Sequence, residues 1–521
     1  MEAAGLALSV VALFGSCLKG YQLVSDIKGL GRDSAILLCR LQIEERRLVI
    51  WGQATGFSDD KCLLPVHELD TVLMVLKEIH SITQDAAVMK KRYGASAVPV
   101  ESDNQVQYIQ ASSVMQELKR RIDQKSPTSL KTGLRWMFDR QNFEKLVVDL
   151  RELNNGLYAL LQGVQIAVSQ QDFTGICLLS SASDDVTKLA TIRDASRAGY
   201  DSLSRTVDQR IHCLTLDQSQ RQANCISIYD LVIIQKDGRT IARYKDTLVL
   251  VDWRDYEEHD PNIISIIHSR IASLSLLLSQ TPKPKEFHVL DCIGYCHDIP
   301  QSRFGLLFAL PTLDDEIPEI ISLHDLLTRQ TSPPIFPTLD ARFRLAHTLA
   351  NSLLQLNSSK WLHRNLRSAH ILFIKSTKEW FTEPYIVGFS YSREDRRDAA
   401  SLPLNHLDIE DAYQHPILTE TPRIGYRRDF DAYSLGLILL EIGFWRPISA
   451  FQKGQYSAMK NHRRLLEFQL TGDLAHRMGE AFEGAVRLLL GDRAYEGKSE
   501  GEQLVWFLEK VVSRVDGRDL S

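Results

Sequence analysis

Cysteine is scarce, with 8 scattered over 521 residues. Only Cys292 and Cys296 lie close together, as C-x-x-x-C in an apolar run, and no His or Cys pair follows at a zinc-binding spacing. This excludes a disulfide scaffold and a zinc module, and predicts reduced thiols in a cytoplasmic protein. No G-x-G-x-x-G occurs in the stretch where the strands begin, no H-E-x-x-H occurs at all, and no Ser-His-Asp or Cys-His arrangement stands out. Neither sign of charge dominates: the formal net charge is -5, with 24% charged residues, which argues against nucleic acid as a partner. Long hydrophobic runs are also missing, apart from an uncharged stretch over residues 3–18. Glu2 is acidic and no basic segment precedes the run, so it does not read as a signal peptide. As a helix it would span about 24 Å, short of a hydrocarbon core of about 30 Å. No other stretch is expected to be long and apolar enough to compete with it.

What is present is an ordinary globular composition, 44% hydrophobic, in a chain too long for one core, so two or three domains are expected. Residues 1–215 read as almost entirely helical. Leu6, Val10, Leu13, Phe14, Cys17 and Tyr21 share one helical face, and Gly5, Ser9, Ala12, Ser16 and Gly20 form a small-residue stripe opposite it. Further helices are predicted over residues 34–51, 65–83, 106–124, 143–169 and 186–213. A polar loop is expected over 93–105 and a linker over 216–225. From there the texture changes. Residues 227–234, 240–244 and 247–252 read as strands, with Lys236-Asp237-Gly238 as a hairpin turn. A helix over 262–279 and strands over 287–296 and 304–310 follow, and the rest is helical. Lys90-Lys91-Arg92 and Lys119-Arg120-Arg121, with Lys125 and Lys131, make the first half locally basic, a surface suited to anionic lipid.

The first half resembles the fungal HeLo domain, the effector domain of heterokaryon-incompatibility proteins. The residues that carry the likeness are Ala4-Gly5-Leu6, Leu13-Phe14, Gly31-Arg32-Asp33, Arg40-Leu41, Ile43, Arg47-Leu48 and Trp51-Gly52, with Phe143-Glu144-Lys145-Leu146-Val147 and residues 134–138 further on. The resemblance implies an all-α bundle that is soluble at rest. On activation it self-associates and its N-terminal segment, here Leu6, Val10, Leu13 and Phe14, enters membrane and kills the cell. Such a segment is too short to span alone, but it can act by oligomerising, thinning the bilayer or packing through its small stripe.

Residues 226–515 resemble an α+β bilobal protein kinase. His363-Arg364-Asn365-Leu366-Arg367-Ser368-Ala369-His370-Ile371 stands where kinases carry the catalytic loop. Asp431-Ala432-Tyr433-Ser434-Leu435-Gly436 resembles the start of the central helix of the second lobe, and residues 413–416 sit at the A-P-E position. The departures remove the chemistry that the resemblance would imply. Asn365 replaces the catalytic base, and an amide accepts no proton near neutral pH. His370 is a soft ligand where magnesium wants oxygen. Gly388, in Gly388-Phe389-Ser390, lacks the metal-binding carboxylate. Arg254 replaces the phosphate-pairing lysine, and the helix over 262–279 holds no acid to pair with it. No cofactor or metal is expected, with weak ATP binding through Arg254 as the exception.

The expected whole is a cell-death or incompatibility effector. A kinase-shaped domain without catalysis restrains a HeLo bundle in the cytoplasm until an upstream protein releases it toward the plasma membrane. The layout is similar to that of mixed-lineage kinase-domain-like proteins. The alternatives are an atypical kinase with rearranged ligands and a non-catalytic scaffold.

Overall fold

A computed structural model describes residues 2–25, 34–57, 63–99, 134–215, 224–235, 239–256, 260–279, 283, 285–311, 317–328, 337–375, 383–395, 412–420, 425–454, 456–469, 472–491 and 495–517. The chain divides into two compact units, Met1–Val207 and Asp208–Ser521. Several sequence expectations fall outside the described residues. They are Gly31-Arg32-Asp33, the helix over 106–124 with its basic cluster, the linker centre and the Lys236-Asp237-Gly238 turn.

The first unit is helical. Its elements are α1 (Glu2–Ser25), α2 (Ser34–Ala54), α3 (Leu69–Gln84), α4 (Ala86–Tyr93), α5 (Arg140–Tyr158), α6 (Val164–Ser181), α7 (Val186–Ser196) and α8 (Asp201–Thr215). The expectation of an all-α bundle needs one correction. Part of the predicted polar loop forms β1 (Ser96–Pro99), which pairs antiparallel with β2 (Leu134–Met137). The single helix expected over 143–169 is two. Gly163 takes φ 49°, a left-handed conformation that most side chains avoid, and the chain starts afresh at Val164. Likewise the helix expected over 186–213 breaks between Ser196 and Asp201.

The core of this unit forms on the predicted face of α1. Val10, Phe14, Cys17 and Tyr21 are buried, Leu13 is half-buried, and the side chain of Leu6 lies outside the described residues. On the opposite side Ser9 and Ala12 are exposed. Phe14 meets Trp51 at 6.2 Å, and Trp51 meets Phe57 edge-on at 5.2 Å. A Cβ on Gly52 would overlap the Phe14 ring, so a glycine there is what lets α1 and α2 close. The buried Trp51 Nε1–H donates to Leu157 O at 2.9 Å, so the indole is buried without an unmet donor.

The second unit mixes α and β, with several small sheets. Strands β3 (Leu231–Gln235), β4 (Thr240–Tyr244), β5 (Thr247–Asp255), β6 (Cys292–Asp298) and β7 (Arg303–Ala309) form an antiparallel sheet in the order β3-β4-β5-β7-β6. Helix α9 (Pro261–Leu278) packs on β6 and β7. Two smaller sheets follow, with orders β11-β10-β8 and β12-β9. Their strands are β8 (Glu319–Ser322), β9 (Trp361–Leu362), β10 (Ile371–Lys375), β11 (Tyr385–Ile386) and β12 (Arg393–Glu394). The remaining helices include α10 (Leu323–Thr328), α11 (Leu339–Ser358), α12 (Pro416–Glu420), α13 (Arg428–Phe444), α14 (Ala458–Arg464), α15 (Asp473–Leu490) and α16 (Glu500–Phe507). Every residue from 430 to 443 is buried, the charged Asp431 and Glu441 included, so α13 is enclosed on all sides as the central post of this unit.

One sequence expectation about apolar length is overturned here. Among the described helices, α9 is long and apolar enough to cross a membrane, by length and composition only, with a mean hydropathy of 1.3. Its apolarity has a local use: Ile267, Ile271, Leu274 and Leu278 are buried.

Candidate functional site

The second-unit positions compared with kinase motifs in the sequence lie in one buried network of hydrogen bonds and packed rings. Asp431, in the first turn of α13, is fully buried. Its carboxylate accepts from the backbone N–H of His363 at 2.7 Å and of Arg364 at 2.8 Å, and from the Tyr426 hydroxyl at 2.8 Å. Burial pushes this carboxyl up to about 6, and the donors oppose the rise. Asp431 thereby pins the loop that begins at His363, including Arg364 at φ 66°.

The loop closes on itself. His363 is fully buried against Phe389, at 4.7 Å between ring centres. Its Nε2–H donates to Val387 O at 3.1 Å, while Nδ1 accepts from Asn365 N–H at 3.3 Å, which sets the tautomer. Asn365 Oδ1 accepts from Arg367 Nη2 at 2.5 Å. The His370 Nδ1–H donates to Asn365 O at 2.6 Å. Burial lowers His363 to about 3 and His370 to about 4, so both rings are neutral at physiological pH.

Gly388 sits at φ 84°, and a Cβ there would overlap the His370 ring. The imidazole therefore takes the room that a side chain at 388 would need. Where a kinase would project a carboxylate from this point, a carboxylate instead arrives from β5. Asp252 Oδ2 accepts from Gly388 N–H at 3.1 Å and Phe389 N–H at 3.0 Å, and burial raises its carboxyl to about 6. Arg254, two residues along the same strand, is buried. It donates to Ser390 O at 2.8 Å and stacks over Tyr391 at 5.0 Å. Arg364 donates to Tyr391 O at 3.4 Å, and Arg393 donates to Tyr426 O at 2.9 Å. Burial lowers Arg254 and Arg364 to about 10 each, and neighbouring arginines add to the fall. Backbone carbonyls thus accept from three buried guanidinium groups.

Asn365, His370 and Gly388 touch one another in turn, and Arg254 joins them through Ser390 O. Among the described residues no group of three or more His, Cys, Asp and Glu is placed to hold a metal ion. Sequence reasoning passed over Asp252, though a lone acid inside the apolar strand Thr247–Asp255 is a readable signal of a buried partner. A pH prediction follows from His370. Its pKa falls from 6.5 to about 4 on folding, so the unfolded chain binds the proton first and stability is lost as pH drops through that window. His370→Asn is expected to remove about 1.4 kcal/mol per pH unit of that slope, measured by urea unfolding between pH 4.5 and 6.5.

The first unit carries the other predicted functional residues. Residues 3–192 match the family model of the HeLo domain, described as prion-inhibition and propagation. Over those residues the chain is similar to HeLo domains. Residues 296–487 match a second family, described as a domain of unknown function (DUF7580), which takes in the cleft from His363 onward but not β5. No curated protein matches the chain. Within the HeLo domain, Leu13 and Phe14 do not form one continuous exposed surface. Phe14 is core and Leu13 lies at the core's margin.

Proposed function

We propose that this chain is a fungal heterokaryon-incompatibility or cell-death effector, in which a kinase-shaped but catalytically inert second unit regulates a membrane-targeting HeLo domain. The HeLo match over residues 3–192 carries the proposal. Two further observations support it. The apolar face of α1 is buried, as a segment withheld at rest should be. In the second unit, the order of three strands, a helix and two strands, with Asp431 clamping the His363 loop, supports a kinase-like ancestry. The inert reading rests on how the cleft is filled. Asp252 and Asp431 are committed to backbone amides, and Asn365 can accept no proton.

Residues 1–215 are expected to release dye from anionic liposomes faster than the full chain does. Leu13→Asp, at a half-buried position, is expected to cut that release at least tenfold, because an aspartate at membrane depth costs about 2.5–3.5 kcal/mol. Phe14→Asp would be a poorer test, since it also breaks the core. Unchanged release by the Leu13 variant, or none from either protein, would sink the membrane mechanism. The enzymatic alternative predicts radiolabelled phosphate transfer that Arg254→Ala abolishes.

A further inference from the structure

Tyr456 stands in the turn before α14, and three cations converge on its ring. Lys460 Nζ lies 3.7 Å from the ring centre, Lys453 Nζ 5.6 Å and the guanidinium carbon of Arg464 5.4 Å. The backbone around the ring is held in place. The buried Asn461 takes both ends of the turn: its Oδ1 accepts from Lys453 N–H at 2.9 Å, and its Nδ2 donates to Lys453 O at 3.1 Å and Tyr456 O at 3.3 Å. Tyr456 N–H donates to Lys453 O at 2.9 Å. Ser457 accepts from Lys460 N–H at 3.3 Å and so caps the helix that carries Lys460 and Arg464. Lys453 and Lys460 are exposed, and among the described residues neither ammonium group meets a carboxylate. Arg464 serves other groups as well, so the two lysines carry the argument. No Asp or Glu occurs from Lys453 to Leu466. The Tyr456 hydroxyl has no hydrogen-bond partner among the described residues.

We propose that Tyr456 is a phosphorylation site whose phosphate is held by Lys453 and Lys460. The modifying enzyme is a separate protein kinase that uses a nucleoside triphosphate. The Tyr456 hydroxyl oxygen bonds to the γ-phosphorus as the bond from that phosphorus to the β–γ bridging oxygen breaks. The nucleoside diphosphate leaves, and the phenol proton passes to a base of that kinase. The charges match: a tyrosine phosphate carries about −1.5 to −2 at pH 7, and two ammonium groups without carboxylate partners already stand beside the ring. A free phenol offers them only the face of its ring. A phosphate offers anionic oxygens and turns the contact into charge-assisted hydrogen bonds. The ring is half-buried, yet the lysines over it are exposed and flexible enough to swing aside for an enzyme. The site rests neither on the membrane mechanism above nor on the inert reading of the second unit.

The test treats the full chain with a broad-specificity tyrosine kinase and magnesium ATP, and maps the modified residues by mass spectrometry. Tyr229, 89% exposed and with no cation over its ring among the described residues, serves as the reference tyrosine. Phosphate is expected on Tyr456 as well as on Tyr229, and the Tyr456 signal should vanish in Tyr456→Phe. Phosphorus NMR then follows the titration of each phosphate. The second ionisation at Tyr456 is expected about 0.5 pH units or more below that at Tyr229, since a nearby ammonium group favours the dianion. Lys453→Ala with Lys460→Ala, both at exposed positions, should leave the melting temperature unchanged and bring the two titrations together. A tyrosine phosphatase should also remove the Tyr456 phosphate about threefold faster, or more, in that double variant. No phosphate on Tyr456, equal titrations in the unaltered chain, or a shift that survives loss of both lysines would each overturn the proposal.

Discussion

Glu44→Ala is expected to cost the first unit about 3–5 kcal/mol of stability, measured by chemical denaturation of the full chain. Glu44 lies on α2 and is completely buried. Its Oε1 accepts from Arg151 Nε at 3.1 Å and from the Tyr200 hydroxyl. Its Oε2 accepts from Arg47 Nη1 at 3.1 Å and Asn154 Nδ2 at 3.1 Å. One carboxylate thus ties α2 to α5 and to the turn that leads into α8. Arg47 adds to the knot by lying over the rings of Tyr158 at 4.8 Å and Tyr200 at 5.6 Å. Removing the acid leaves two guanidinium groups facing each other with most of their surface out of water, which is the costly way to break a buried pair. Glu44→Gln should be milder, since the amide keeps the shape and one acceptor oxygen. A loss below about 1 kcal/mol for Glu44→Ala would show that the knot is solvated in solution, as surface pairs are.

The second large effect concerns Gly388 and His370. Gly388→Ala is expected to lower the stability of the second unit by about 2–5 kcal/mol, from overpacking against the imidazole plus a left-handed backbone that alanine resists. In a His370→Ala background the ring is gone and only the backbone penalty of about 1–2 kcal/mol should remain. The double-mutant cycle should therefore show a coupling of at least about 1 kcal/mol. Additive effects would mean that the ring moves aside at little cost and that the two positions are independent.

These two sites differ in how readable they are. Asn365, His370 and Gly388 could be singled out in the sequence because a motif carries its own spacing. The strand Thr240–Tyr244 was equally plain, since an apolar run bounded by turn residues has few other uses. Glu44 was invisible. It sits in Glu44-Glu45-Arg46-Arg47, which looks like a solvated helix face, and only the packing of α5 and Tyr200 turns it inward. The breaks at Gly163 and near Gly199 were missed for a related reason. A glycine within an apolar helical pattern is often tolerated, and only tertiary packing decides whether the chain turns there. The β1–β2 pair joins residues 96–99 to 134–137, and a contact at that separation leaves no local trace in the sequence.

The fit of His370 against Gly388 has a consequence for descent. A lineage that holds this pair could not acquire a carboxylate at 388 by one substitution, because the new side chain would land on the imidazole. Changing His370 first would abandon its hydrogen bond to Asn365 O with nothing yet gained. Either route passes through a less stable intermediate, which selection for a folded protein would remove. The pair therefore behaves as a ratchet: once the ring fills that space, an acidic side chain at 388 is barred by sterics alone, whatever advantage it would offer.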